Sequence, residues 1–267
     1  MINTYIINLD RGKERWERMM LQLAQFSTFH IQRISGVDGK HENISHIRVN
    51  SKKSIQYFGQ PLSVGTIGCY LGHVRAWEMF CHSQHAYGLI LEDDALFNPP
   101  LLLYVLNRLG ALHTSSFEKK ERVDWDICSF QLNHRGMPLP IGHFEKGYQL
   151  CTYLTSVTGA GAYVLTKRGA HGLLSKAFPI VLPVDHYYTK SHQLNLRFVG
   201  VEPRIVTQAS GLSFIEEIGR EHLKILPPWR RVKCGLFRVK EEVRQALYNI
   251  RWAYPLYQQY RRSHQVF

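Results

Sequence analysis

Apolar and polar positions in the first two hundred residues alternate between two periods. Thr4-Tyr5-Ile6-Ile7-Asn8-Leu9 is a short run of strand length, and behind it Trp16, Met19, Met20, Leu23 and Phe26 recur at helical spacing. Residues 29–34 read as a second strand stopped by the turn-rich Ser35-Gly36-Val37-Asp38-Gly39, so the chain opens β-α-β. Ile67, Leu71 and Val74, extended by Glu78 or Phe80, form another helical stripe, and Tyr87-Gly88-Leu89-Ile90-Leu91 is a buried-strand pattern. Further strands are predicted over 126–132, 162–165, 197–201 and 205–208, with helices over 167–177 and 185–193. Residues 40–65 lack a clear period and read as a long loop, either a substrate-facing flap or an element the pattern conceals. The alternation predicts an α/β fold, a mostly parallel central sheet with helices on both faces, whose ligands bind beyond the carboxyl ends of the strands.

Near the end the pattern changes. Val243, Leu247, Ile250, Tyr254 and Tyr257 follow at steps of four and three on one helical face, with Trp252 and Tyr260 nearby, and Pro255 is expected to end or kink that helix at about Tyr254. From Arg220 onward there are eleven Lys and Arg against three acids, so this stretch holds +8 of the chain's net +12. The division expected is an α/β domain over 1–215 and a basic, partly helical extension over 216–267. A basic amphipathic helix of this kind either lies on an anionic membrane surface or packs its apolar stripe against the domain. Charge alone also suits nucleic acid, but the chain carries no zinc finger, RNA-recognition signature or helix-turn-helix pattern, and nucleic acid is not an expected partner.

With 45% apolar, 12% aromatic and 20% charged residues in 267, the chain can bury a sizeable core, which excludes disordered and fibrous classes. No run of about 18 apolar residues occurs and the first strand is followed by Asp10 and Arg11 rather than a cleavable signal pattern, so a cytoplasmic location is expected, with contact at the inner face of the cytoplasmic membrane as its extension. The five cysteines are scattered without paired short spacings and read as reduced, buried thiols. Walker-type phosphate loop, Gly-x-Gly-x-x-Gly after the first strand and Gly-x-Ser-x-Gly elbow are all missing, against kinase, dehydrogenase and serine-hydrolase chemistry.

Glu92-Asp93-Asp94 follows Leu89-Ile90-Leu91 directly and places three carboxylates at the rim of the sheet. Like charges so close repel unless a cation neutralises them, and hard oxygen ligands select Mg²⁺ or Mn²⁺. Alternate strand residues point the same way, so Glu92 and Asp94 can converge on one metal while Asp93 turns elsewhere. A cation held by so few carboxylates completes its shell with water and substrate phosphates, pointing to a nucleotide-linked substrate. The other reading is a solvated acidic turn, an N-cap for a helix starting near Pro99 or Pro100. Asp124-Trp125-Asp126 stands before its strand, at the wrong edge of a parallel sheet, and reads as a strand-entry turn.

Ile7-Asn8-Leu9-Asp10-Arg11 with Arg15, Gly68-Cys69-Tyr70-Leu71-Gly72-His73 with Trp77, Leu89-Ile90-Leu91-Glu92-Asp93-Asp94, the strand from Gly159 to Thr166 and Pro183-Val184-Asp185-His186, in this order over about residues 2 to 210, resemble glycosyltransferase family 25. The resemblance implies a GT-A-like, Rossmann-like catalytic domain, a UDP-sugar donor, most often UDP-galactose, a divalent metal, and inversion to a β-galactoside on the saccharide of a lipooligosaccharide or lipopolysaccharide. It also implies that the acidic motif holds metal and donor, with Asp94 first as ligand and Glu92 second, and Asp93 on the ribose or the sugar. Asn8, Asp10 and Arg15 would hold the uridine, with Asp38 beside them. Gly72 departs from the pattern, which has Ser before the histidine in many relatives.

Inverting transfer needs a base for the acceptor hydroxyl and an electrophile for the departing diphosphate. Asp185, after Pro183, is the preferred base, its alternative being a plain helix N-cap. His73 contacts a phosphate, stabilises the leaving group or satisfies an interior hydrogen bond. His186 is a third metal ligand or a surface histidine, Arg15 offers its guanidinium to uracil or phosphate or is solvated, and Gly159 and Gly161 admit the sugar or relieve packing. The leading expectation is a hexosyltransferase with nucleotide sugar as donor and a saccharide on a lipid carrier as acceptor. The alternatives are a metal-dependent nucleotide or phosphodiester hydrolase and a non-catalytic basic membrane-binding module.

Overall fold

The computed structural model describes residues 1–114, 122–133, 136–209 and 228–264. Strands whose successive residues are all apolar need cover on both faces, and the central sheet has it. In β1 (Ile2–Asn8) Tyr5 joins one core cluster and Ile6 the other, and in β3 (Tyr87–Glu92) Ile90 lies on the first side while Leu89 and Leu91 lie on the second. Residues from α3 (Val64–His82) and α5 (Lys167–Ser175) fill the first side. Those of α1 (Lys13–Leu23) and α4 (Pro99–Thr114) fill the second.

The sheet has eight strands in the order β2-β1-β3-β8-β5-β9-β7-β6. Its other members are β2 (Phe29–Ser35), β5 (Ile127–Ser129), β6 (Pro138–His143), β7 (Gln149–Tyr153), β8 (Ala162–Thr166) and β9 (Phe198–Glu202). β8 and β7 run against the other six, so the sheet is mostly parallel in strand direction although it pairs both ways. A two-stranded antiparallel ribbon of β4 (Ala95–Phe97) and β10 (Val206–Gln208) stands beside the end of β3.

One open alternative is decided, one expectation needs correction, and the strand β6 is unexpected. The 40–65 segment contains a helix, α2 (Ser51–Phe58), capped by Asn50, whose side chain accepts from the Lys53 N–H, and closed by Gly59 at φ 77°. Its only buried residues are Ser54 and Tyr57, too few to leave an apolar period. The helix expected over 185–193 is two single turns, α6 (Val184–Tyr187) and α7 (Ser191–Leu194). The edge strand β6 has no counterpart among the expected strands because Pro138, Pro140 and Gly142 interrupt its alternation, which only an edge tolerates.

The last helix, α8 (Pro228–His264), runs through Pro255 instead of ending there. Proline removes one backbone donor and strains one turn, but Ala253 just before it is buried and Leu256 just after it packs on the core, so both flanking turns are held. The helix docks through a mixed face, on which Phe237, Trp252, Ala253 and Leu256 pack with the core clusters beside buried polar residues. Buried Glu241 receives hydrogen bonds from Gln193 Nε2 at 2.5 Å, Tyr57 Oη at 3.3 Å and Arg244 Nη1 at 2.8 Å, and faces His192 Nε2 at 3.1 Å. Gln245 Nε2 donates to Thr189 O and Asn249 Nδ2 to Tyr153 O. The apolar stripe read from the sequence is real, but Val243, Leu247, Ile250 and Tyr254 face outward. The proposed boundary at 215/216 lies outside the described residues. All five cysteines are free, and among the described residues no helix is long and apolar enough to cross a membrane.

Burial would push the Glu241 carboxyl up, but hydrogen bonds with Gln193, His192 and Arg244 outweigh it and hold its pKa below the ordinary value. A depressed carboxylate contributes stability that is present above the unfolded pKa and lost as pH falls through the folded one. We therefore expect thermal stability to drop on acidification below about pH 4.5, and less so in Glu241→Gln. Glu241→Ala should cost about 1.5 kcal/mol in denaturant unfolding at pH 7, because it removes the shared acceptor of Gln193, Arg244 and the buried Tyr57 hydroxyl.

Candidate active site

The carboxyl ends of β1 and β3, the turn after β2 and the first half of α3 enclose a pocket that Arg15, Asp38, His73, Glu92, Asp93 and Asp94 all line. Its wall is backbone packed on backbone. A Cβ at Gly39 would stand 2.1 Å from Val64 O, and one at Gly68 2.4 Å from Val37 O, so only glycine lets α3 approach the turn this closely. Gly72 is milder, since a Cβ there would lie 3.0 Å from the Ile7 Cγ2 methyl, which a serine would have to push aside slightly.

Each of the three acids has different partners. Asp93 Oδ2 accepts from Asn8 Nδ2 at 2.7 Å and Oδ1 from Arg15 Nη1 at 3.2 Å. Asn8 is itself fixed, donating also to Gly12 O and accepting from Arg33 Nε and Nη2. Asp94 lies 3.5 Å from Arg15 Nη1 through Oδ2, but its Oδ1 is buried with no hydrogen-bond partner. Burial, then Glu92 and Asp93 beside it, push its pKa up to about 7. A buried carboxylate oxygen without a donor can be satisfied by a proton, a water or a cation, and its hard oxygen chemistry fits Mg²⁺ or Mn²⁺.

Glu92 ends a hydrogen-bonded row. Trp77 Nε1 donates to Tyr163 Oη at 2.8 Å, and Tyr163 Oη is 2.7 Å from His73 Nδ1. With the phenol hydrogen satisfied on Nδ1, the hydrogen of His73 sits on Nε2 and points at Glu92 Oε1, 3.1 Å away. Both His73 ring nitrogens are thus engaged inside the protein. Glu92 Oε2 accepts from Gln208 Nε2 at 3.1 Å. Burial would raise the Glu92 pKa, but the contact with His73 and the Gln208 and Cys69 bonds lower it further than burial lifts it. Cys69, His73 and Glu92 form the one cluster of three potential metal ligands among the described residues. It reads as a polar network, because burial and then the Glu92 charge push the Cys69 thiol well up, and the His73 nitrogens are taken.

Asp38 is held by Arg11 Nε at 3.1 Å, His41 Nδ1 at 3.1 Å and the Lys40 N–H. Slight burial raises its pKa, but these contacts prevail and keep it below the usual range. Asp10 stands apart from the pocket wall, exposed and bonded to Arg33 and Ser35. Asp185 is not an N-cap, the place being taken by Pro183; it sits in the first turn of α6 and accepts from the His186 N–H at 2.9 Å. Burial raises its pKa, partly offset by His186, and the Glu92 charge adds to the rise, but Asp185 is not among the residues that line the pocket. His186 is not brought together with Glu92 and Asp94, its ring packing edge-on to Phe58 at 5.1 Å. Gly159, at φ +111°, and Gly161 pack on Gln131, which favours the packing reading of both.

Arg11, Cys69 and Gln208 were not assigned from the sequence, although all three line the pocket. Arg11 and Cys69 stand inside motifs already quoted. Gln208 ends a recognised strand, the place where ligand-facing residues gather, but a lone glutamine carries no charge to mark it.

Among known families, the model of glycosyltransferase family 25 (LPS biosynthesis protein) matches residues 1–188. Procollagen galactosyltransferase 1 of Danio rerio is 27% identical over 266 residues, 90% of this chain and 42% of that protein. Procollagen galactosyltransferase 2 of Homo sapiens is 24% identical over 196 residues, 68% of this chain and 29% of that protein. A glycosyltransferase 25 family member of Drosophila pseudoobscura pseudoobscura is 26% identical over 192 residues, 68% of this chain and 29% of that protein. The chain spans less than half the length of these relatives. Among solved structures, the inositol-1-phosphate CTP transferase from T. maritima aligns over 90% of this chain and 97% of its own at 10% identity, with a TM-score of 0.37, too low to carry an argument.

The row behind Glu92 makes a specific expectation. Tyr163→Phe removes the hydroxyl that Trp77 and His73 share and should cost about 2 kcal/mol in chemical unfolding, the penalty for stranding buried polar groups. Gly68→Ala should be at least as damaging, since its Cβ meets backbone; a melting temperature equal to wild type for Gly68→Ala would contradict the described packing.

Proposed function

The chain belongs to glycosyltransferase family 25, and we propose that it is an inverting, metal-dependent hexosyltransferase of GT-A-like fold. The donor in this reading is UDP-galactose, and the acceptor is the growing saccharide of a lipooligosaccharide or lipopolysaccharide on a lipid carrier. The relatives named as galactosyltransferases support the sugar, and the family's description as an LPS biosynthesis protein supports the acceptor. The observation that carries the proposal is the partnerless, buried Asp94 Oδ1 beside Glu92 and Asp93 at the end of a parallel strand.

Asp94 first and Glu92 second would hold Mn²⁺ or Mg²⁺, which supplies the positive charge that a departing diphosphate requires. Around it, Arg15 and Arg11 offer guanidinium groups to the uracil or the phosphates, and Asp38 accepts from the ribose or base. Asp93, fixed from behind by Asn8, presents its remaining lone pairs to ribose or sugar hydroxyls. Asp185 takes the proton from the acceptor hydroxyl; its raised pKa brings it nearer the working pH, which suits a general base. His73 positions Glu92 and need not touch the donor. We assign residues 1–215 to catalysis and 216–267 to an extension.

The test is a thermal-shift screen of nucleotide sugars with and without Mn²⁺, followed by transfer assays. UDP-galactose with Mn²⁺ should raise the melting temperature of the wild type and leave Asp94→Ala unmoved. Asp94→Ala should lose transfer by at least about 100-fold, yet melt no lower than wild type without metal, since it removes an under-paired buried charge. Full transfer in excess chelator would remove the metal from the reading. Release of free sugar at a rate that acceptor does not alter would replace the transferase by a hydrolase, and absence of any nucleotide response would leave a non-catalytic membrane-binding module.

A further inference from the structure

Helix α8 is dressed the wrong way round for a helix that merely covers a domain. Its buried positions include Glu241, Gln245 and Asn249, while Val232, Leu236, Val239, Val243, Leu247 and Tyr254 are between 50% and 69% exposed. With Ile250, 39% exposed, between Leu247 and Tyr254, steps of three and four put all seven on one stripe, and the 22 helical rises from Val232 to Tyr254 make it about 33 Å long. Isolated exposed apolar residues are ordinary on a protein surface, but a continuous stripe of this length is not.

The charges on the same helix are sorted. Lys233, Lys240, Arg244 and Arg251 each come one residue after a member of the outward apolar face, which sets all four along the same edge of it. The two acids described on α8 are kept away from it. Glu241 is buried against Gln193, Tyr57 and His192, and Glu242 follows it on the side away from that basic edge. A surface that is apolar along its centre and lined by four cations along one edge, with the half-buried Glu242 as the only acid described on the other edge, matches an anionic lipid headgroup layer over a hydrocarbon interior. A second copy of this chain paired antiparallel is a poorer occupant, because that arrangement brings the two basic edges together.

We infer that α8 seats the protein on an anionic membrane, its outward apolar stripe entering the interface and its basic edge lying among the headgroups. This leaves the mixed face of the helix holding the catalytic α/β unit, and it does not depend on the identity of donor or acceptor.

The experiment is co-sedimentation of the full chain with vesicles of phosphatidylcholine alone or with one-third phosphatidylglycerol. The wild type should bind the anionic vesicles at least tenfold more tightly, and less as salt is raised. Leu236→Ser/Leu247→Ser and, separately, Lys240→Glu/Arg251→Glu should each weaken that binding at least tenfold, with circular dichroism and the UDP-dependent thermal shift unchanged. Loss in the charge variant with none in the leucine variant would overturn insertion of the stripe. Absence of vesicle binding by a wild type that sediments as a dimer, and is made monomeric by Leu236→Ser/Leu247→Ser, would assign the face to a second copy and overturn the proposal.

Discussion

Three carboxylates in sequence at the mouth of a buried strand repel one another, and the surroundings of this pocket are organised around that repulsion. Asp93 is neutralised from the side of β1 and α1 by Asn8 and Arg15, and Glu92 is met from α3 by His73. Only Asp94 keeps an oxygen without a partner. The parallel pairing of β1 with β3 brings Ile7 opposite Glu92, so the polar residues beyond β1 reach the acids only in this register. A slip of one residue would turn every side chain to the opposite face and separate Asn8 from Asp93.

The backbone contacts serve the same end. Gly39 against Val64 and Gly68 against Val37 draw α3 onto the turn after β2, and this places Cys69 and His73 over the acids rather than a turn away from them. From Gly65 to Val74 the helix is consequently buried or half-buried all round, and only its second half, with Arg75, Glu78, Met79 and His82 exposed, shows the one-sided pattern of a surface helix.

How much could be read in advance follows from this. The strand β3 and its three acids were legible because an apolar run that stops abruptly at carboxylates marks the place where a buried strand reaches the rim of its sheet, and β1, α1 and β2 were legible from their periods. α2 was hidden by its two buried residues, and β6 by its prolines. The outward direction of the α8 stripe could not be read at all: periodicity finds a face but not what it meets, and the mixed face that docks is recognisable only once Tyr57, His192 and Tyr153 are in place. The resemblance to a family ordered the motifs correctly, whereas Gln208 and Arg11 became visible only when distant segments converged.

The indole of Trp77 has one hydrogen to give and no lone pair in its ring plane to receive another. The row through Tyr163 and His73 therefore has a fixed polarity, like a wire with a diode at its inner end. Hydrogen bonds from His73, Gln208 and Cys69 favour the charged form of Glu92 against its burial, and the row has no acceptor at its inner end to carry a proton further into the core. A proton arriving at Glu92 would therefore be returned toward the pocket rather than conducted inward.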